Sequence, residues 1–306
     1  MLTYLQAIVI GLLQGVTELF PISSLGHSVL VPALIGGGWS HLVTDQSSPE
    51  SPYLAFIVGL HVATAIALLI FFQADWVRIL GGFLTTLRTR RVETSSQRLA
   101  WLIVLATIPV GLTGLLFEHQ LRTLFAKPLA AAIFLTLNGA VLLAGERLRR
   151  RAAAPVEPAV VGTPIGGSVA AGPPPPVRRL ATLPYLDGVL IGSFQIAALF
   201  AGISRSGVTM VGGLLRGLSH EDAARFSFLL ATPVILAAGV LKVPDLFSPL
   251  GAGIRGQVLA GSLVSGLAAY GSVRFLTRYF ETRTLTPFGI YCLVAGGLCI
   301  LRFGIF

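Results

Sequence analysis

Six uninterrupted apolar runs, each close to the length that crosses a membrane, dominate this chain of 306 residues. They lie at about residues 53–72, 99–117, 129–148, 223–241, 257–276 and 287–301. A helix needs about 20 such residues to span a hydrocarbon core. Because hydrophobic residues make up 54% of the chain and charged residues only 11%, the composition excludes a soluble domain, and we expect six spanning helices.

Two further apolar segments are copies of each other. Residues 4–36 align with residues 185–217 without a gap, and ten of the 33 pairs are identical, including Gln14 with Gln195 and Ser23 with Ser204. Pro, Gly and Ser break each copy in the middle, so a full crossing is not expected. Irregular backbone at membrane depth is tolerated only where protein or a wet cavity satisfies it, so we predict two re-entrant helix-loop-helix hairpins.

Each half of the chain then contains one hairpin and three spans. Because three is odd, the second half enters the membrane from the opposite side, which makes the duplication an inverted-topology repeat. We therefore predict an all-α integral membrane protein with six transmembrane helices and two re-entrant helix-loop-helix hairpins. Residues 1–148 form the first repeat and residues 183–306 the second, and residues 149–182 are a flexible cytoplasmic linker rich in Pro, Gly and Ala.

The distribution of basic residues tests this topology. If residues 73–98 and 149–182 are long cytoplasmic loops, that side holds 16 of the 22 Lys and Arg residues and the other side holds five. This asymmetry obeys the positive-inside rule. The net charge of +9 would also suit nucleic-acid binding, but these arginines flank apolar spans. We therefore expect membrane lipid as the partner and no nucleic acid.

Glu18 is the only acidic residue that the sequence places deep in the apolar layer, and Arg205 is its only basic counterpart. Ionisable groups at this depth indicate function, although the two could simply neutralise each other. Gln14 lies four residues before Glu18, so a helix would place both side chains on one face. The second copy has Leu199 in place of Glu18, which indicates that the copies have specialised.

The second copy contains a loop suited to phosphate, in residues 202–207. Small residues such as Gly207 allow close backbone approach, Ser204 and Ser206 supply hydroxyls, and Arg205 supplies a planar charged fork. A tight turn capped by serines is the alternative. The buried arginine favours an anion, so we predict that this loop binds substrate.

The first copy contains groups suited to catalysis. Ser24 lies near a carboxylate and near His27, so it is a candidate nucleophile, and His27 a candidate proton carrier. A carboxylate that faces phosphate also suits Mg²⁺ or another divalent cation, with Glu18, and Gln14 beside it, as ligands. The other four histidines are interpreted as structural or exposed: His41, His61, His119 and His220.

These residues resemble the undecaprenyl-pyrophosphate phosphatase family of the bacterial inner membrane, which is linked to bacitracin resistance. The resemblance covers nearly the whole chain and is carried by the segments at residues 14–18, 20–27, 202–207 and 226–231. It implies removal of the terminal phosphate from a polyprenyl diphosphate, which yields the lipid carrier for peptidoglycan and cell-wall precursors. It also implies a pocket that opens to the outer face.

The resemblance assigns a role to each site residue. Glu18 would position metal or act as a base, and Ser24 would be the candidate nucleophile. His27 would assist proton transfer or itself attack. Arg205 would clamp the diphosphate, and Ser23, Ser204, Ser206, Gly207 and Gln14 would support it.

Three positions depart from the family pattern: Gln14 stands where Glu is frequent, Leu25 where Thr is common, and Ala201 where Pro is frequent. The first removes a metal carboxylate, so metal ligation is less secure than hydrolysis. A secondary transporter or flippase for a phosphorylated lipid is the alternative function, because broken helices in inverted repeats also serve alternating access. The sequence leaves open whether the attacking group is Ser24, His27 or water, and whether the chain forms a homodimer.

Overall fold

The computed structural model describes residues 2–40, 42, 52–125, 127–153, 179–247 and 253–305. These residues form eleven α-helices and no strand, so the predicted all-α class is confirmed. The helices in chain order are α1 Tyr4–Thr17, α2 Ser24–Ile35, α3 Pro52–Phe71, α4 Gln73–Thr89, α5 Ser95–Phe125, α6 Pro128–Ala153, α7 Tyr185–Ser193, α8 Arg205–Leu215, α9 His220–Phe247, α10 Arg255–Thr282 and α11 Thr286–Gly304. Most of the predicted linker, residues 154–178, lies outside the described residues.

The predicted number of spanning helices is confirmed. Six of the described helices are long and apolar enough to cross a membrane: α3, α5 as far as Phe117, α6, α9, α10 and α11. The two arms of each predicted hairpin are too short for that, with 14 and 12 residues in α1 and α2 and 9 and 11 in α7 and α8. Six spans and four short apolar arms are consistent with two re-entrant hairpins.

The prediction that residues 73–98 form a loop is wrong for most of that segment. Residues 73–98 contain the 17-residue helix α4, which the search for continuous apolar runs missed. Its large apolar residues Val77, Leu80, Leu84 and Leu87 are exposed at helical spacing on one side. Such an amphipathic helix lies along a membrane surface rather than across it. Helix α6 likewise continues to Ala153, five residues into the predicted linker.

The duplicated segments fold alike at the two ends of their second arms. Helices α2 and α8 begin at equivalent positions, and each is capped by the identical serine, whose hydroxyl accepts from the backbone N–H three residues later (Ser23 from Gly26, Ser204 from Gly207). Each second arm is also followed by a glycine with positive φ, 68° at Gly36 and 86° at Gly217. A glycine adopts this backbone conformation without the steric penalty of a side chain. The identical residues therefore mark the starts and ends of the arms.

The two halves exchange their hairpins. Helix α1 packs on α10 of the second repeat, and α7 packs on α5 of the first, while α3 pairs with α9 and α6 with α11. The identical glycines Gly11 and Gly192 lie at the two exchanged contacts, against the backbone of Gly261 and Ala106. A Cβ at either glycine would overlap that backbone. This reciprocal packing brings the irregular middle of each hairpin to one place inside the bundle.

Candidate active site

Asn138 of α6 joins the two hairpin breaks. Its amide nitrogen donates to the carbonyl of Pro21 (3.0 Å), and its amide oxygen accepts from the N–H of Ser204 (2.9 Å). Asn138 is fully buried, and the sequence analysis did not identify it. A buried amide needs hydrogen-bond partners for both its nitrogen and its oxygen, so this residue fixes the spacing of the two loops. A polar residue inside an apolar run was the signal that could have found it.

Ser23 makes the second connection between the breaks. Its hydroxyl accepts from the N–H of Gly26 in its own hairpin (3.2 Å) and from the N–H of Gly202 in the other (3.1 Å). Ser23 holds a φ of 70°, which is uncommon for a residue with a side chain. Such strain persists only where the surroundings fix it, and it is frequent at functional sites.

Glu18 and Arg205, which the sequence analysis singled out, form an ion pair between the hairpins. The guanidinium Nη2 contacts Glu18 Oε1, and Nη1 donates to the carbonyl of Ala231 in α9 (3.0 Å). The two side chains are 6% and 15% exposed. A charged pair at this burial is tolerated because each partner makes further hydrogen bonds. The Arg205 fork is therefore held at a fixed position.

The second oxygen of Glu18 is surrounded by three groups. Ser24 donates its hydroxyl to Oε2, and the amide of Gln14 donates from 2.9 Å. The third group is His61 of α3, whose Nε2 lies 3.3 Å from Oε2 and whose Nδ1 lies 2.8 Å from the carbonyl of Ile57. The sequence analysis did not place His61 with the candidate site residues, and the structure shows that it contacts Glu18. Like Glu18, it is a polar residue inside an apolar run, which is itself a signal of function.

These groups line a cavity of about 250 Å³. Its polar wall consists of Glu18, Ser23, Ser24, His61, Ser204 and Arg205. The rest of the lining is aliphatic. It comes from the first half of α3, the second half of α9 and the two hairpins: Leu54, Ile57, Val58, Val234, Ile235, Ala238, Leu25, Ala198 and Ile203. One cavity thus combines a polar wall that contains charged groups with an aliphatic wall.

The amino ends of α2 and α8 meet at this cavity, because Ser24 and Arg205 are their first residues. A helix amino end carries partial positive charge and unpaired N–H groups, and it favours a bound anion. The two helix ends and the guanidinium therefore make this part of the cavity attractive to phosphate oxygens.

Four residues from the predicted site do not line the cavity. Gln14 lies behind Glu18, while Ser206 contacts Ser204 Oγ (3.0 Å) and the carbonyl of Phe20 (3.3 Å). The N–H of Gly207 caps α8 through Ser204. Direct substrate binding by Ser206 and Gly207 stays a prediction, and their contacts here are structural.

His27 faces away from the cavity. Its Nδ1 lies 2.6 Å from the carbonyl of Ser23, and its Nε2 lies 2.8 Å from the hydroxyl of Tyr291 in α11. The two rings also stack. With both ring nitrogens engaged, His27 is placed to hold the hairpin against α11, and its role in proton transfer stays a prediction without a geometric basis here.

The sequence analysis singled out Glu18 alone among the acidic residues, but a second acid is buried in the structure as well. Glu146 of α6 is 2% exposed and lies near the arginine-rich end of that helix. Its Oε1 lies 2.5 Å from Nε2 of His220 and accepts from the N–H of Leu285 (2.8 Å). These contacts tie α6 to the starts of α9 and α11, so His220 is structural, as expected. The side chains of His41 and His119 lie outside the described part of the chain.

The residues around Glu18 supply only part of a donor set for the predicted divalent cation. No cluster of three or more acidic, His or Cys residues that could hold a metal occurs among the described residues. The amide oxygen of Gln14, however, is buried without a partner, and its own amide nitrogen contacts Glu18. A carboxylate and an amide oxygen, completed by phosphate oxygens and water, are ligands that Mg²⁺ accepts.

Fold and cavity together define a multi-pass integral membrane protein with an anion-attracting polar centre made from two duplicated hairpins. The chain belongs to the family described as bacitracin resistance protein BacA, whose model matches residues 7–298. It is 63% identical to undecaprenyl-diphosphatase 2 of Frankia alni, over 99% of both chains. It is 64% identical to the undecaprenyl-diphosphatase of Mycolicibacterium paratuberculosis, over 98% of this chain and 97% of that one. A relative from Chromobacterium violaceum, undecaprenyl-diphosphatase 2, is 42% identical over 97% of this chain and 98% of its own.

Proposed function

We propose that this protein hydrolyses undecaprenyl diphosphate, or a polyprenyl diphosphate close to it, to the monophosphate and inorganic phosphate. One observation carries the proposal: Glu18 holds the Ser24 hydroxyl on one oxygen and the Arg205 guanidinium on the other, inside a cavity with an aliphatic wall. The relatives reported above are all named as diphosphatases, which favours hydrolysis over the transport alternative. The product is the lipid carrier that cell-wall synthesis reuses.

The cavity divides the substrate into two parts. The diphosphate binds Arg205, the hydroxyls of Ser23 and Ser204, and the amino ends of α2 and α8. The polyprenyl tail follows the aliphatic wall between α3 and α9, since an apolar chain gains free energy by staying out of water. Binding then sets the terminal phosphorus beside Ser24.

Ser24 is the group that we propose as nucleophile. Its Oγ passes its proton to Glu18 Oε2 and forms a bond to the terminal phosphorus, while the bridging P–O bond breaks and polyprenyl phosphate leaves. In the second step water attacks the phosphoserine and the P–Oγ bond breaks. Glu18 returns to Ser24 Oγ the proton that it accepted in the first step, and the water oxygen leaves with its protons as inorganic phosphate. Arg205 stabilises the charge on the transferring phosphoryl group in both steps.

His61 and a cation complete the proposed centre. If the Nδ1–H of His61 donates to Ile57, Nε2 faces a carboxylate and carries a proton there, which it can deliver to the departing phosphate oxygen. Glu18 and Gln14 would hold Mg²⁺ or another divalent cation together with the diphosphate. When bound, that ion would neutralise phosphate charge.

The orientation follows from charge. The cavity is lined by the first half of α3 and the second half of α9, whereas arginine-rich segments follow the end of α3 and precede the start of α9. With the arginines in the cytoplasm, the centre opens toward the outer side of a bacterial cytoplasmic membrane.

Phosphate release by the purified protein in detergent tests this proposal. With undecaprenyl diphosphate, we expect release that EDTA suppresses and Mg²⁺ restores. Release that EDTA leaves unchanged would remove the cation from the proposal. No release from folded protein with any divalent cation would overturn the hydrolase, and lipid movement in liposomes would then test the transport alternative.

A further inference from the structure

A second cationic concavity lies away from the catalytic centre, at the arginine-rich end of α10. It is a groove of about 510 Å³ lined by Gly271, Arg274, Phe275, Arg278, Tyr279, Thr282 and Arg283. Three arginines and no carboxylate line it. Any ligand of this groove must therefore be an anion. Neither the fold nor the proposed reaction assigns a role to the groove.

The three guanidinium groups have no partner in the part of the chain that the structure describes. Among the described residues, Arg274, Arg278 and Arg283 make no side-chain hydrogen bond and no ion pair, and all three are exposed. Two other arginines on this side, Arg78 and Arg225, share Asp75. Like charges four residues apart on a helix repel each other. A bound anion would offset this repulsion and use the free donors.

The groove also lies where a lipid phosphate would be. Arg274 precedes the end of spanning helix α10 by eight residues, about 12 Å at 1.5 Å per residue, and Arg283 follows that end. This column of charge therefore crosses the level of the headgroups. Phe275 and Tyr279 lie between the arginines, and aromatic residues are frequent at this level. Basic pockets on the cytoplasmic side of spanning helices bind anionic headgroups.

We propose that this groove binds the phosphate of an anionic glycerophospholipid of the inner leaflet. The phosphodiester accepts hydrogen bonds from the arginines, and the acyl chains follow the exposed apolar side of α10. The site touches the catalytic hairpin through one contact, because Phe275 stacks on Phe20, two residues from Glu18 (5.9 Å between ring centroids). This proposal goes beyond the proposed hydrolysis and stands without it.

Native mass spectrometry of the delipidated protein in detergent, titrated with phosphatidylglycerol or phosphatidylcholine, tests the site. Wild type is expected to retain phosphatidylglycerol at a concentration at least tenfold lower than phosphatidylcholine. Each arginine near anionic lipid contributes about fivefold, so the triple variant Arg274→Gln, Arg278→Gln, Arg283→Gln should weaken retention on the order of 100-fold. The single variant Arg278→Gln should weaken it about fivefold, which provides a test should the triple variant fail to fold.

The matched control is Arg88→Gln, Arg90→Gln, Arg91→Gln, which removes the same charge from the end of α4 and the segment after it, on the same side of the bundle. It should retain phosphatidylglycerol as wild type does. Equal weakening in both triple variants would show general attraction and overturn the site, and so would unchanged binding in the groove variants. Retention of polyprenyl phosphate in preference to phosphatidylglycerol would overturn the choice of a glycerophospholipid.

Discussion

Ser24 and Arg205 occupy the same position in two copies of one duplicated hairpin, and both contact the carboxylate of Glu18, on its two different oxygens. Each is the first residue of a helix, and an identical serine caps each helix. Divergence at one pair of equivalent positions has thus produced a hydroxyl and a guanidinium on either side of one carboxylate. In the account proposed here, these are the attacking group and the phosphate clamp.

Variants of Ser24 and Ser206 distinguish the proposed nucleophile from a serine with structural contacts. Ser24 lines the cavity and donates to Glu18, whereas Ser206 lies behind it against Phe20. We expect Ser24→Ala to lower kcat by about 10³-fold or more, since it removes the attacking group. Ser206→Ala should stay within about threefold of wild type. Equal rates for the two variants in the phosphate-release assay would contradict the assignment.

The proposed proton transfer by His61, which the sequence analysis did not place at the site, can be tested by substitution. Loss of a positioned proton donor typically costs about 10²-fold to 10⁴-fold, so His61→Gln should lower kcat by that order while KM changes little. His220→Gln is the matched control, because His220 is also a buried histidine paired with a glutamate, but far from the cavity. It should lower thermal stability and leave kcat unchanged. A His61→Gln enzyme with normal kcat would remove His61 from the mechanism.

Asn138 tests whether the two breaks depend on one amide. In Asn138→Leu, the carbonyl of Pro21 and the N–H of Ser204 lose their partner and stay buried, at about 1–3 kcal/mol for each group. We expect a lower thermal midpoint in detergent and lower activity. Asn138→Asp keeps the acceptor for Ser204 and should retain more of both. A midpoint equal to that of wild type in Asn138→Leu would show that Asn138 does not hold the loops.

Gly11 and Gly192 test the exchanged packing of the repeats. A methyl group at either would overlap a neighbouring backbone, so each alanine variant should destabilise the protein by about 1–3 kcal/mol. Gly297→Ala in α11 is the control, because nothing lies within 4 Å of that Cβ position. Alanine is the better helix former, so this variant should be neutral or slightly stabilising. Thermal unfolding in one detergent compares the three, and equal midpoints would contradict the packing.

The sequence predicted the spans, contained the repeat and drew attention to Glu18 and Arg205, because each of these has a strong local signal. Apolar length identifies a span, and a charge within an apolar segment is rare enough to draw attention. It could not predict that His27 would face Tyr291 while His61 faces Glu18. Which histidine reaches the carboxylate depends on how α3 packs beside the hairpin, and that packing is not encoded in local spacing.

Helix α4 and the buried Glu146 were missed for a related reason. The apolar residues of α4 are spaced along one face, so no continuous run marks them. Glu146 is followed by several arginines, which suggests an exposed helix end, yet the starts of α9 and α11 cover it. Burial of this kind is a property of the assembled bundle.

The proposed hydrolysis requires one active centre that is built from residues of both hairpins. Steady-state phosphate release from undecaprenyl diphosphate by Glu18→Gln, Arg205→Ala and the double variant tests it most directly, with Glu146→Gln as a control for a buried acid outside the cavity. Each single variant should lose at least about 10²-fold in kcat. The kcat of the double variant should be no more than about threefold below that of the less active single variant, because the effects of residues that act as a unit are not additive. Activity within about threefold of wild type in either single variant, or losses that multiply in the double variant, would contradict the account.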